Sequence, residues 1–163
     1  MDNIADNIIE KYNLFLIEDN PAEVRLMTEA IKDSGLSDII RLNIAYDGEE
    51  AISYLSNYQA DEEPRLILLD LNLPKISGKE VLRYIKGDDK LKRLTTFIVT
   101  NSDNQNDIKD CQHLDADGYF QKPTEYNKLV QFFLSLGKSI RENEPFTVQY
   151  LVKHYQHSQA VTS

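Results

Sequence analysis

Short apolar runs alternate along this chain with segments in which apolar residues recur every three or four positions. The short runs are typical of buried strands, and the longer period is typical of helices that bury one face. Regular alternation of the two favours parallel strands, because parallel neighbours need a crossover connection, usually a helix. We predict strands at residues 14–17, 41–46, 66–70, 97–100 and 119–121.

The start of the first helix is marked by three residues. Asn20 is a suitable cap, Pro21 suits the first helical position, and Glu23 stands where a capping-box acid belongs. Further helices are predicted after Gly48, after Gly78, over residues 107–114 and from Glu125. The expected fold is therefore a flavodoxin-like (βα)5 α/β fold, a doubly wound parallel sheet with strand order 2-1-3-4-5.

The length of 163 residues predicts one domain. We expect an N-terminal segment at 1–12, the domain at 13–142 and a C-terminal helical tail at 143–163. In the tail, Val148, Leu151, Val152 and Tyr155 recur at helical spacing, and Thr147 is a candidate cap. Two interpretations of this apolar stripe stay open: it docks on its own domain, or it contacts a second subunit.

Composition excludes several classes of function. Lys and Arg number 18 against 27 Asp and Glu, and the net charge of -9 argues against nucleic acid or an anionic membrane as the main partner. Cys111 is the single cysteine, so an internal disulfide and a thiolate metal site are excluded. No apolar run could span a bilayer and no signal peptide is recognisable, so we expect a cytoplasmic protein.

Three acidic residues follow two strands that should be neighbours. Glu18 and Asp19 end the first strand, and Asp70 ends the third. Open α/β sheets bind ligands beyond the carboxyl ends of their strands, where the strand order reverses. Carboxylates so close together repel one another unless a cation is bound, and all-oxygen ligands favour Mg²⁺. The sequence thus predicts a magnesium site.

Two further groups should reach the same edge of the sheet. Thr100 ends the fourth strand and supplies a hydroxyl, and Lys122 follows the fifth strand and supplies an ammonium. Carboxylates, a metal ion, a hydroxyl and a lysine together suit a phosphoryl group, with Asp70 as its covalent acceptor.

These residues resemble the receiver domain of two-component response regulators. The motifs are LFLIEDN, LILLDLNLP, VTNSD and GYFQKP, and the separations of 30 residues from Asp70 to Thr100 and 22 from Thr100 to Lys122 look like those of the family. The likeness covers about residues 13–140. The long spacing of 51 residues from Asp19 to Asp70 resembles the stand-alone receivers that partner phytochrome-type sensor histidine kinases.

The resemblance implies a role for each matching residue. Asp70 would accept phosphate from a histidine kinase or phosphotransfer protein, and Lys122 and Thr100 would bind phosphoryl oxygens. The implied Mg²⁺ ligands are Asp19, Asp70 and the carbonyl of Asn72, with Glu18 acting through water. Thr100 and Tyr119 would form the switch, and the bond between Lys122 and Pro123 would be cis. A homodimer through the fourth-helix to fifth-helix face and the tail is also expected by resemblance.

Two rival functions stay open. The first is a phosphorylation-independent interaction module, in which Asn101, bulkier than the small residue often found after the switch hydroxyl, narrows access to Asp70. The second is a Mg²⁺-dependent phosphatase, but those enzymes carry a second acid two residues after the nucleophile, where this chain has Asn72. We therefore expect a phosphoacceptor and not an enzyme.

Overall fold

The computed structural model describes residues 10–144 and 146. Its five strands form one sheet in the order β2-β1-β3-β4-β5, and every neighbouring pair is parallel. The strands are β1 Tyr12–Ile17, β2 Ile40–Ala45, β3 Leu66–Leu69, β4 Thr96–Thr100 and β5 Gly118–Gln121. The predicted fold class and strand order are confirmed.

The five helices predicted within residues 13–142 are all present. The helices are α1 Pro21–Asp33, α2 Gly48–Asn57, α3 Gly78–Gly87, α4 Gln105–His113 and α5 Tyr126–Arg141. Short 3₁₀ turns at Ala60–Glu62 and Leu91–Arg93 precede β3 and β4. The predicted start of α4 was two residues late, because Asn104 caps the helix by accepting a hydrogen bond from the amide of Asn106.

The sheet separates two hydrophobic cores. Successive strand residues point to opposite faces, so Leu14 and Leu16 pack with α1 and α5 while Phe15 and Ile17 pack with α2 and α3. Both faces of the sheet are covered, which explains why β3 is apolar at every position and entirely buried. Cys111 of α4 is buried in the second core, as expected for an apolar helix face.

The N-terminus of α1 differs from the predicted capping box. The side chain of Asn20 caps the helix by accepting from Ala22 N, as expected, but the backbone amide of Asn20 donates to Glu18 Oε1 and not to Glu23. The capping-box prediction was wrong because Glu18, two residues before the cap, already satisfies that amide. Glu23 is therefore available for a contact across the fold.

The chain reverses after α5 and returns to the core. Asn143 adopts a positive φ of 52°, and the amide of Glu144 donates to Ser139 O, which ends the helix in a left-handed cap. Phe146 is then buried against Phe97, with 5.5 Å between the ring centroids. The predicted tail helix and its cap Thr147 lie outside the described residues.

None of the helices in the described part of the chain is long and apolar enough to cross a membrane.

Candidate functional site

The acidic residues meet because β1 and β3 are neighbours in register. Ile17 pairs with Leu69, so the next residues, Glu18 and Asp70, leave the sheet side by side. Glu18 and Asp70 are buried, whereas Asp19 is exposed. One carboxylate oxygen from each of the three lies within 4.8 Å of the others. The predicted convergence of these acids is present.

Lys122 reaches into this cluster from the end of β5. Its backbone amide donates to Thr100 O at 2.8 Å, which continues the pairing of β4 with β5 past the last strand residue. Its Nζ donates to Glu18 Oε2 and, at 3.0 Å, to Asp70 Oδ2. The buried ammonium thus bridges two buried carboxylates.

Burial and the contact between Glu18 and Lys122 act in opposite directions on the pKa values of these two groups. Burial raises the pKa of Glu18 to about 7; the hydrogen bond from Lys122 opposes the rise, and the negative charge of Asp70 adds to it. Burial lowers the pKa of Lys122, but its hydrogen bond to Glu18 and the charge of Asp70 outweigh burial, so the pKa is raised. The lysine is therefore held in its charged form.

The donor set suits a hard divalent cation. Glu18, Asp19 and Asp70 carry three negative charges when ionised against one positive charge on Lys122, which leaves two unmatched. All three offer carboxylate oxygens, the ligand type that Mg²⁺, Ca²⁺ and Mn²⁺ prefer. The cluster can therefore hold a divalent metal ion.

The two predicted switch residues share one neighbour. Thr100 is fully buried at the end of β4, and its Oγ1 accepts from Ser102 N at 3.4 Å. Tyr119 is partly buried on β5, and its hydroxyl donates to Ser102 O at 2.9 Å. Ser102 was not predicted as a site residue, since nothing in its local sequence pattern distinguishes it from other loop serines.

The loop after β3 is fixed against the acceptor. The amide of Asn72 donates to Asp70 Oδ1 at 3.2 Å, while the implied metal-ligand role of its carbonyl stays a prediction. Gly78 begins α3 so close to this loop that a Cβ there would lie 2.1 Å from Asp70 O. Its amide donates to Leu71 O at 2.9 Å. Only glycine allows α3 to begin against the backbone of the acceptor.

The expected cis bond is absent. No peptide bond is cis between residues 10 and 144, so the Lys122–Pro123 bond is trans and the prediction of a cis bond was wrong. The isomers of a bond before proline differ by only about 0.5–1 kcal/mol, so the presence of proline does not by itself select the cis form.

Glu23 is an acid at the site that the sequence prediction assigned elsewhere. Its Oε2 lies 3.9 Å from Lys122 Nζ, on the side of α1. The available signal was its position four residues after Asp19 in the first turn of a helix that starts at the site. Asn101, which narrows access to Asp70 in the phosphorylation-independent alternative, is an exposed residue.

The fold and the site together define a doubly wound α/β domain with three carboxylates and a lysine at the carboxyl edge of its sheet. The family model for the response regulator receiver domain matches residues 14–133. The chain belongs to this family, which serves two-component signalling, and the resemblance predicted from the sequence is confirmed.

Individual relatives fit this assignment. Response regulator Rcp1 of Synechocystis sp. is 38% identical over 121 residues, which cover 72% of this chain and 81% of the relative. The crystal structure of the phosphorylated cyanobacterial phytochrome response regulator RcpA has a TM-score of 0.70 and 36% identity, and the match covers 79% of this chain and 93% of that one.

A metal-bound relative is also similar. The crystal structure of the Mn²⁺-bound form of Rcp1 has a TM-score of 0.67 and 34% identity, with 77% of this chain and 91% of that chain covered. A divalent ion in that relative agrees with the acidic donor set described above.

Proposed function

We propose that this receiver accepts a phosphoryl group on Asp70 from a sensor histidine kinase, in a Mg²⁺-dependent reaction, and signals through protein contacts. The observation that carries the proposal is the position of the Asp70 carboxylate, with Oδ2 bonded to Lys122 and an oxygen within 4.8 Å of those of Glu18 and Asp19. An acceptor carboxylate needs both a fixed orientation and nearby positive charge, and this arrangement supplies them.

In the proposed step a carboxylate oxygen of Asp70 attacks the phosphorus of a phosphohistidine. A P–O bond forms as the P–N bond breaks, and the leaving imidazole nitrogen takes a proton from solvent. The ammonium of Lys122 stabilises the negative charge on the phosphoryl oxygens during transfer, because its Nζ is already held beside Asp70. Thr100 would donate its hydroxyl to another oxygen of the group.

Glu18, Asp19, Asp70 and the carbonyl of Asn72 are the residues that would hold Mg²⁺. When bound, the ion would neutralise charge between the carboxylates and the incoming phosphoryl group. The chain itself fixes the ligands: the end of β1 supplies Glu18 and Asp19, and the amide of Asn72 orients Asp70.

The relatives suggest the kind of donor. RcpA is described as a phytochrome response regulator, and we propose that the donor here is a phytochrome-type sensor histidine kinase in the cytoplasm. We further propose that the chain carries the phosphoryl group as a signal and does not turn over a separate substrate.

A phosphodonor assay tests the acceptor. With Mg²⁺ and acetyl phosphate, intact-mass spectrometry should show one added phosphoryl group on the wild type and none on Asp70→Asn. The matched control is Asp89→Asn, whose side chain is 95% exposed and distant in sequence from the site. Labelling that persists in Asp70→Asn would place the acceptor elsewhere.

The phosphorylation-independent alternative gives a different result. It requires that the wild type stay unlabelled and that beryllium fluoride with Mg²⁺, a phosphoryl mimic, leave its NMR spectrum unchanged. Turnover of a generic phosphate ester, in contrast, would favour the phosphatase alternative.

A homodimer through α4 and α5 is part of the proposal. Leu134 of α5 is 48% exposed, a large apolar side chain that the described residues leave partly uncovered. Leu134→Lys should weaken self-association in sedimentation experiments, and Leu26→Lys on α1, where Leu26 is 47% exposed, is the matched control.

A further inference from the structure

An ion pair joins α3 to α4 near the site. Lys79, the second residue of α3, places its Nζ 2.6 Å from Asp107 Oδ1 and 2.8 Å from Asp110 Oδ2. The side chains of Lys79 and Asp107 are only 27% and 25% exposed, whereas that of Asp110 is 51% exposed. Solvent therefore screens the pair with Asp107 less than the pair with Asp110.

Asp107 also holds the loop that follows β4. Its Oδ2 accepts from Ser102 Oγ at 2.6 Å. The hydrogen bond from Lys79 lowers the pKa of Asp107 most, and the bond from Ser102 lowers it further, so both contacts favour the carboxylate. One carboxylate thus connects a helix start on one side to a loop residue on the other.

Ser102 passes this restraint to the switch residues. Its amide donates to Thr100 Oγ1 at 3.4 Å, and its carbonyl accepts from the hydroxyl of Tyr119 at 2.9 Å. A chain of contacts therefore runs from Lys79 through Asp107 and Ser102 to both Thr100 and Tyr119.

The Lys79 end of this series of contacts adjoins the segment that carries Asp70. Lys79 directly follows Gly78, whose Cα approaches the backbone of Asp70 so closely that a Cβ would lie 2.1 Å from Asp70 O. The start of α3 is for this reason a fixed point relative to Asp70, and the ion pair ties the loop after Thr100 to it.

We propose that Lys79 and Asp107 form a latch that positions Thr100 through Ser102 and opposes its turn toward a phosphoryl group on Asp70. This inference rests on the proposed function, in which the Thr100 hydroxyl binds a phosphoryl oxygen. A turn of Thr100 would change its bond with the amide of Ser102, and the latch fixes Ser102. Release of the latch therefore shifts the equilibrium toward the phosphoryl-bound arrangement.

Beryllium fluoride in the presence of Mg²⁺ tests the latch in the full chain. The readout is the concentration at half-saturation, followed through the NMR signals of the Thr100 and Tyr119 amides. Asp107→Asn and Lys79→Met should each lower it by about threefold to tenfold, the range expected for one lost charge-assisted contact. The two substitutions change the net charge in opposite directions. If both lower the half-saturation concentration, the change in net charge is therefore not the cause.

Three further variants separate a positioning role from a general disturbance of the structure. Asp110→Asn removes a carboxylate from the same lysine but leaves the bond between Asp107 and Ser102, and should change half-saturation by less than about twofold. Ser102→Ala removes the hydroxyl that donates to Asp107 and that also accepts from the amide of Asn104 at 3.3 Å, and should shift half-saturation in the same direction as Asp107→Asn. Ser102→Thr keeps a hydroxyl at this position and should keep the half-saturation concentration of the wild type.

The outcomes of the test are distinct. Opposite effects of Asp107→Asn and Lys79→Met, or effects equal to that of Asp110→Asn, overturn the latch while the proposed function stands. If the wild type itself gives no response to beryllium fluoride and Mg²⁺, the proposed function fails and the latch fails with it.

Discussion

The Nζ atom of Lys122 lies 3.0 Å from Oδ2 of Asp70, although 52 residues separate the two along the chain. The same Nζ donates to Glu18, which stands 104 residues before it. A single buried ammonium therefore links the ends of three strands, β1, β3 and β5, that carry the site.

Removal of this ammonium should destabilise the protein. In Lys122→Met, Glu18 and Asp70 stay buried without their cation, and we expect a loss of about 3 kcal/mol in metal-free urea unfolding. The control is Lys128→Met, which breaks an exposed pair with Glu125 at 3.6 Å and should cost under about 0.5 kcal/mol. Equal losses in the two variants would contradict a structural role for Lys122.

The contact between Gly78 and Asp70 predicts an effect on both stability and phosphorylation. A Cβ at Gly78 would lie 2.1 Å from Asp70 O, so Gly78→Ala should cost about 1–3 kcal/mol and slow labelling by acetyl phosphate. Gly87, at the other end of α3, has nothing within 4 Å of an added Cβ. Gly87→Ala should be neutral or stabilising by about 0.5 kcal/mol, and a loss as large as that of Gly78→Ala would show that general helix effects are responsible.

Phe146 should contribute to stability although it follows the last described helix. Its ring packs on Phe97 and Phe132 with centroid distances of 5.5 and 5.6 Å. We expect Phe146→Ala to cost about 3 kcal/mol in thermal or urea unfolding, and a chain cut after residue 142 to lose a similar amount. Leu26→Ala, at a position 47% exposed and outside the proposed dimer face, should change stability by less than about 0.5 kcal/mol. A fully stable truncated chain would argue against this packing.

Asp47 should make stability depend on acid pH. Its Oδ1 accepts from Glu50 N at 2.8 Å and its Oδ2 lies 3.0 Å from Lys75 Nζ, and first the backbone bond and then the lysine lower its pKa below the ordinary 3.8. A carboxyl group whose pKa is lower in the folded than in the unfolded protein stabilises the folded state at pH values above its ordinary pKa. This contribution is lost as the pH falls below about 4.

The measurement compares wild type with Asp47→Asn, which keeps the capping oxygen but does not titrate. The difference in free energy of unfolding should be constant from about pH 7 to about pH 5 and should shrink toward about pH 3. A difference that is unchanged down to the lowest pH would assign the contribution to the cap alone.

The sequence predicted strand and helix order well because burial has a local signature. Both cores contain helix residues that recur at helical spacing, such as Val24 of α1 in one core and Val81 of α3 in the other. Asp70 and Glu18 were assigned to the same edge of the sheet because the predicted strand order places the ends of the first and third strands side by side. Boundaries differed by one or two residues, where capping side chains decide the first turn.

Contacts between distant side chains were harder to predict. Glu23 was assigned to a cap, but the amide it would have bonded is taken by Glu18, so it lies near Lys122 instead. The role of Ser102 depends on the position of Asp107 on the next helix and of Tyr119 on the next strand. The isomer at Pro123 depends on a small energy difference that the surrounding structure decides.

The order of strands and helices, and the residues that stand at the strand ends, were determined by the sequence, since periodic burial and end signals act over a few neighbouring positions. Which of those residues touch was decided by the tertiary structure. The bridge from Lys122 to Glu18 and Asp70, and the latch from Lys79 to Asp107, join positions 28 to 104 residues apart. Such contacts depend on how helices and strands pack, and local patterns in the chain do not encode that packing.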